Sequence, residues 1–104
     1  MKLRYTPEAR SDLREMYEYI SGTLKNPIAA NRISASVLEN CSHLKDYPRM
    51  GAELSEKVGR ETDLRYLVCG NYIVFYRVEQ EVISVIRILD GRTNYMRVLF
   101  QQKD

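Results

Sequence analysis

The 104-residue chain sets 16 Lys plus Arg against 14 Asp plus Glu, a formal charge of +2, too small an excess to hold a polyanion by overall charge. With 44% hydrophobic residues and no run of ~18 to 20 apolar residues, the composition predicts one domain over residues 1–104 and no membrane partner. The opening MKLRYTPEAR lacks the apolar core of a secretory signal, so a cytoplasmic location is expected.

Lys2 to Tyr5 alternate polar and apolar and predict a short strand. Thr6-Pro7 follows, a hydroxyl N-cap before a proline whose missing N–H costs nothing at the first helical position. Ala9, Leu13, Met16, Tyr17, Ile20 and Leu24 then recur at helical spacing, with Arg10, Asp12, Arg14, Glu15 and Glu18 on the other side. Asn26-Pro27 repeats the cap signal, and Ala30, Ile33, Val37, Cys41 and Leu44 carry a second helix toward the stop at Tyr47-Pro48. So short a connection predicts an antiparallel helical hairpin with one shared apolar stripe.

After an irregular stretch from Arg49 to about Thr62, three β-rich runs appear: Asp63 to Cys69, Tyr72 to Val78 and Val82 to Leu89. The connections Gly70-Asn71 and Glu79-Gln80-Glu81 are short enough for an antiparallel meander. Its middle run is apolar on nearly both faces and belongs at the centre of the sheet. The fold class expected is α+β, with an N-terminal strand and a helical hairpin packed on a C-terminal antiparallel meander.

Cys41 and Cys69 lie in a helical and a strand pattern without CxxC spacing, and read as buried apolar residues. His43, the only histidine, lies in the second helix between Ser42 and Leu44, away from any predicted carboxylate partner or strand end, and reads as surface or packing. No Gly-rich phosphate loop, HExxH or nucleophile elbow occurs, so no metal site and no cofactor are expected. Eleven of the sixteen cations are arginines, and eight tyrosines accompany two phenylalanines, a supply of planar cations and rings suited to RNA or protein partners.

Alternation puts Arg65 with Leu67 and Cys69, Arg77 with Ile73 and Phe75, and Arg87 with Ile83, Val85 and Leu89. If the register brings those faces to one side, the sheet presents three guanidinium groups for phosphate or carboxylate partners. Otherwise each arginine snorkels or pairs with a carboxylate such as Asp63, Glu79 or Glu81. Beyond the last strand, Arg92 and Tyr95 could stabilise a phosphate transition state and handle a proton. Equally, Tyr95 and Phe100 could anchor a terminal helix on the core.

The order of elements, with the phrases YTPEARSDLREMYEYI, NPIAANRI, LKDYPRMG, DLRYLVCGNYIVFYRV and VIRILDGR, resembles the RelE/ParE toxins of bacterial type II toxin-antitoxin systems across residues 2 to 100. The resemblance implies a growth-inhibiting toxin neutralised by a cognate antitoxin, with operator DNA reached only through that antitoxin. The superfamily contains DNA gyrase poisons and ribosome-dependent mRNA endonucleases. Only if the chain is such an endonuclease would Arg65, Arg92 and Tyr95 stand for the catalytic basic and tyrosine positions; Arg77, Arg87 and Tyr72 are expected as binding residues without that condition. Ile73 replaces the arginine that often follows the tyrosine at Tyr72 in those enzymes, and NYIVFYRV followed by RILDGR is similar to the gyrase-directed ParE branch. The resemblance thus implies a gyrase poison first and an mRNA interferase as the alternative.

Overall fold

Both cap signals lie where helices begin in the computed structural model, which describes residues 1–100. Strand β1 (Lys2–Tyr5) ends at Thr6, whose hydroxyl accepts from the Ala9 N–H at 3.1 Å, and α1 (Pro7–Glu18) follows. Helix α2 (Pro27–His43) starts at Asn26, whose side-chain oxygen accepts from the Ala29 N–H at 3.0 Å.

The first helix does not run to Leu24 as its periodicity predicts. Residues Tyr19–Thr23 form a π-helical turn closed by Leu24 N–H on the Tyr19 carbonyl at 2.9 Å. The wider turn shifts the helical phase by about one residue. Leu24 therefore leaves the apolar stripe and is 55% exposed. Lys25, in the left-handed region at φ 53°, completes the connection to α2.

The sheet has five strands where the sequence predicts a three-stranded meander. Strands β3 (Arg65–Cys69), β4 (Tyr72–Glu79) and β5 (Val82–Asp90) are the expected antiparallel set, turned at Gly70 with φ 61°. On one side β1 joins β5 in parallel, and on the other the two-residue β2 (Ala52–Glu53) joins β3, giving the order β1-β5-β4-β3-β2. The stretch expected to be irregular thus holds β2 and the five-residue α3 (Leu54–Val58).

One face of the sheet packs on the helical hairpin through Val74, Val85 and Ile88, which meet Ala9, Met16, Ile20, Ala30, Val37 and Cys41. The other face buries Phe75 and Leu89 beneath Leu54, Leu64 and the apolar side of α4 (Tyr95–Phe100). Cys41 and Cys69 are free thiols in the core, as their pattern predicts, and burial pushes the Cys41 thiol up to about 11. His43 is exposed at the end of α2.

A buried tyrosine secures the segment between α2 and β2. Tyr76, fully enclosed, donates its hydroxyl to the Pro48 carbonyl at 2.8 Å and accepts from the Gly51 N–H at 2.9 Å. Arg65 adds Nε and Nη2 donors to the Gly51 carbonyl at 3.1 and 2.7 Å. Tyr76→Phe leaves a carbonyl and an N–H without their partner, and its stability in urea is expected to fall by about 2 kcal/mol. An unchanged unfolding midpoint would show that the hydroxyl does not hold the loop.

Candidate functional site

Strand β1 pairs with β5 only as far as Val85, so the rest of β5 needs another neighbour. Helix α1 supplies it. Thr6 donates its N–H to the Val85 carbonyl at 3.0 Å and its hydroxyl to the Ile86 carbonyl at 2.8 Å. Six residues on, Asp12 is 6% exposed and accepts three hydrogen bonds, from Arg87 Nε at 2.7 Å, Arg87 Nη2 at 2.8 Å and the Ile88 N–H at 2.9 Å.

A bulge makes this pairing possible. Phe75 faces Arg87 and Tyr76 faces Val85, so Ile86 is an extra residue on β5. The alternation that groups Arg87 with Ile83 and Val85 breaks there, and Arg87 turns to the α1 edge. Asp12, expected on the solvated side of the first helix, is instead its buried ionic link to the sheet.

A cleft of about 400 Å³ opens beside this link, among Tyr19, Tyr72, Arg87, Asp90, Arg92 and Thr93. The π-helical turn brings Tyr19, the start of β4 brings Tyr72, and the turn after β5 brings Arg92 and Thr93. Arg92 folds back on Asp90, donating its backbone N–H at 2.9 Å, Nε at 3.1 Å and Nη2 at 3.0 Å, while its side chain stays 86% exposed. Burial and the neighbouring Asp90 carboxylate raise the Tyr72 phenol above its ordinary value, against the pull of Arg92. Hydrogen bonds from Arg92 hold the Asp90 carboxyl below its ordinary 3.8.

Because the folded value of Asp90 is depressed, its contribution is complete above the unfolded value and lost as pH falls through the folded one. Stability measured from pH 7 downward is expected to gain an extra acid-side decline below about 4. Asp90→Asn removes that part of the decline. A variant curve parallel to wild type throughout would mean that Asp90 is not stabilised by Arg92.

The six residues predicted from the sequence divide into two groups. Tyr72, Arg87 and Arg92 come together in the cleft. Arg65 does not, because it opposes Tyr76, four residues and about 13 Å along the sheet from Tyr72, with its guanidinium on the Gly51 carbonyl. Arg77 lies on the opposite face from Arg65, and its Nε is 2.9 and 2.8 Å from the two Asp63 oxygens. Tyr95 packs its ring on Phe75 at a centroid distance of 5.3 Å.

The single surface bearing three arginines is therefore not formed, and the Arg92 and Tyr95 side chains are held by different neighbours. Tyr19 and Asp12 join the site although neither stands out in the sequence. Gly22, three residues after Tyr19, signals local irregularity, whereas nothing distinguishes Asp12 from the charged residues around it. Among the described residues no group of three His, Cys, Asp or Glu side chains is placed to hold a metal ion.

A family profile described as the ParE toxin of the type II toxin-antitoxin system parDE matches residues 3–95. The chain belongs to the ParE toxin family. A solved structure described as the chromosomal ParDE TA system from P. aeruginosa shares the fold, with a TM-score of 0.72 at 24% identity over 86% of this chain and 95% of that one. A search of curated proteins found no match. As a ParE-family toxin, the protein is one half of a type II toxin-antitoxin pair and has a cognate antitoxin as partner. The matched span contains Asp12, Tyr19, Tyr72, Arg87 and Arg92. No described helix is long and apolar enough to cross a membrane.

Proposed function

We propose that this ParE-family toxin arrests growth in the cytoplasm by binding DNA gyrase and holding it on DNA, with Tyr19, Tyr72, Arg87 and Arg92 as its contact surface. The reading is supported most directly by the ribonuclease candidates: Arg65 is remote from Arg92, and each of the three is held by a different neighbour. Arg65 is engaged with Gly51, about 13 Å along the sheet from the cleft, while Arg92 is engaged with Asp90 and Tyr95 with Phe75.

The electrostatics support the same reading. A general acid or base works best with a pKa near the operating pH. Burial raises Tyr5, Cys41, Cys69 and Tyr72, while hydrogen bonds raise Arg87 and Arg92 and lower Asp90. Each resolved shift moves its group away from neutrality. A cleft lined by two tyrosines and two arginines has the composition of a binding hot spot.

The deciding assay is gyrase supercoiling with purified toxin, beside a Tyr19→Ala, Arg92→Ala double variant. Wild type should block supercoiling, and the double variant should need about tenfold more protein for the same effect. Supercoiling untouched by wild type, with no DNA damage response on expression, would remove the reading. Cuts in translated mRNA that Tyr95→Phe and Arg92→Ala abolish would replace it with the ribonuclease.

A further inference from the structure

Arg77, singled out in the sequence, takes no part in the cleft, and the register gives it other company. Ser84 opposes Arg4 across the β1–β5 pair and Arg77 across the β5–β4 pair, so the three residues form a row on one face of the sheet. This is the face away from the helical hairpin, because Leu3 and Tyr5, which alternate with Arg4, pack on the hairpin side.

The row lies on the half of that face carried by β1 and the first residues of β5, whereas α3 and α4 pack over Phe75 and Leu89. Arg4 Nη1 is 3.4 Å from Ser84 Oγ. Ser84 is 1% exposed although Arg4 is exposed and the Arg77 side chain is 34% exposed. Arginine stems on both sides can cover the serine while their guanidinium heads remain in water.

We propose that Arg4 and Arg77, on either side of the buried Ser84, form a binding site for the phosphate backbone of duplex DNA. The proposal rests on the reading that this toxin acts on gyrase while the enzyme is engaged with DNA. Lys2 and Glu79 flank Val82 in the next row of the same face, so Lys2, Arg4 and Arg77 stand against the carboxylates of Glu79 and Asp63. Asp63, the partner of Arg77, is itself 68% exposed. So open a pair contributes little to stability, and a phosphate can take the place of the carboxylate.

Arg4 and Arg77 are two strand spacings apart, about 10 Å at their backbones. That spread suits neighbouring phosphates of an extended polyanion better than one small anion. The aromatic side chains of this face favour a duplex over a single strand. Phe75 is 1% exposed and stacked with Tyr95, Tyr66 lies under Lys57, and Phe100 lies under Arg60. Single-stranded sites depend on rings that stack on bases, whereas a duplex backbone is held by cations and hydroxyls. Such contacts carry no base readout, so binding is independent of sequence and distinct from operator recognition through the antitoxin.

The test is fluorescence anisotropy of a labelled duplex at increasing potassium chloride, comparing wild type with an Arg4→Ala, Arg77→Ala variant of equal melting temperature. Loss of two phosphate contacts should reduce the slope of log K against log salt by about 2 in magnitude. Arg4→Ala alone should reduce it by about 1, and Arg77→Lys should keep the wild-type slope. In parallel, the double variant should be retained by gyrase as wild type is, yet accumulate about tenfold less cleaved DNA.

A double variant with the wild-type salt slope overturns the site. Tighter binding of single-stranded RNA with the same arginine dependence overturns the duplex assignment. If wild type leaves gyrase unaffected while the double variant still flattens the salt slope, the gyrase reading falls and the phosphate site stands.

Discussion

Asp12→Ala is expected to lower the unfolding free energy by about 3 kcal/mol, the low end for removing one partner of a buried ion pair. The carboxylate is 6% exposed and takes all of its donors from β5, so alanine leaves the Ile88 N–H and most of the Arg87 guanidinium without a partner. Arg87 retains some water at 27% exposure, which keeps the cost toward the low end. A guanidinium is not deprotonated at any physiological pH even without its carboxylate, so Arg87 cannot relieve the loss by giving up its charge.

Urea unfolding measures the effect, and a double-mutant cycle assigns it. Arg87→Met should cost much less in the Asp12→Ala background than in wild type, because the stranded charge is then gone. Additive losses would mean that the two residues stabilise the fold independently. Toxicity should fall with Asp12→Ala even though the side chain is nearly buried, since Asp12 ties α1 to β5 and both elements line the cleft.

Gly51→Ala should cost about 3 kcal/mol by overpacking, the upper part of the usual range. A Cβ built there would lie 2.5 Å from the Tyr66 carbonyl oxygen and 2.7 Å from both Cε1 and the hydroxyl oxygen of Tyr76. The first obstacle is backbone and the second is a fully enclosed ring, so neither can swing aside. Relief would require pulling the Pro48–Gly51 segment off Tyr76 and Arg65, with the loss of their hydrogen bonds.

Gly22→Ala is the internal control. Nothing lies within 4 Å of its would-be Cβ, and an alanine there should be neutral or stabilise by about 0.5 kcal/mol through the unfolded chain. Equal melting temperatures for the two variants would show that close approach at Gly51 is not a constraint.

Local chemistry made much of this fold readable. Thr6-Pro7 and Asn26-Pro27 marked helix starts because capping is decided within three residues, and Gly70-Asn71 marked a hairpin because one backbone conformation there favours glycine. The doubly apolar run at Tyr72 to Val78 placed β4 in the centre of the sheet. Elements too short for periodicity were hidden: β2 has two residues and α3 five.

The site was legible in part, and each miss has a physical cause. Tyr72, Arg87 and Arg92 were recognisable as arginine and tyrosine chemistry on strands and a turn. Their grouping was not, because the bulge at Ile86 re-aims Arg87 and the π-helical turn re-aims Tyr19, and both break the regular periods from which directions were read. Asp12 was obscured because a buried carboxylate and a solvated one look alike until the strand that receives it is known.

The pairing of β1 with β5 also sets a timetable. Lys2 to Tyr5 are made before their partners Val82 to Val85, which come eighty positions later. At bacterial or eukaryotic synthesis rates that interval is about 4 to 16 seconds. Throughout it the first strand has no sheet to join, and Asp12 lacks the guanidinium and amide that it binds in the finished fold. Every nascent chain shorter than β5 therefore lacks both the completed sheet and the cleft beside it. The proposed contact surface appears all at once, when β5 has been made, and a message cut or stalled before β5 yields a fragment that cannot display it.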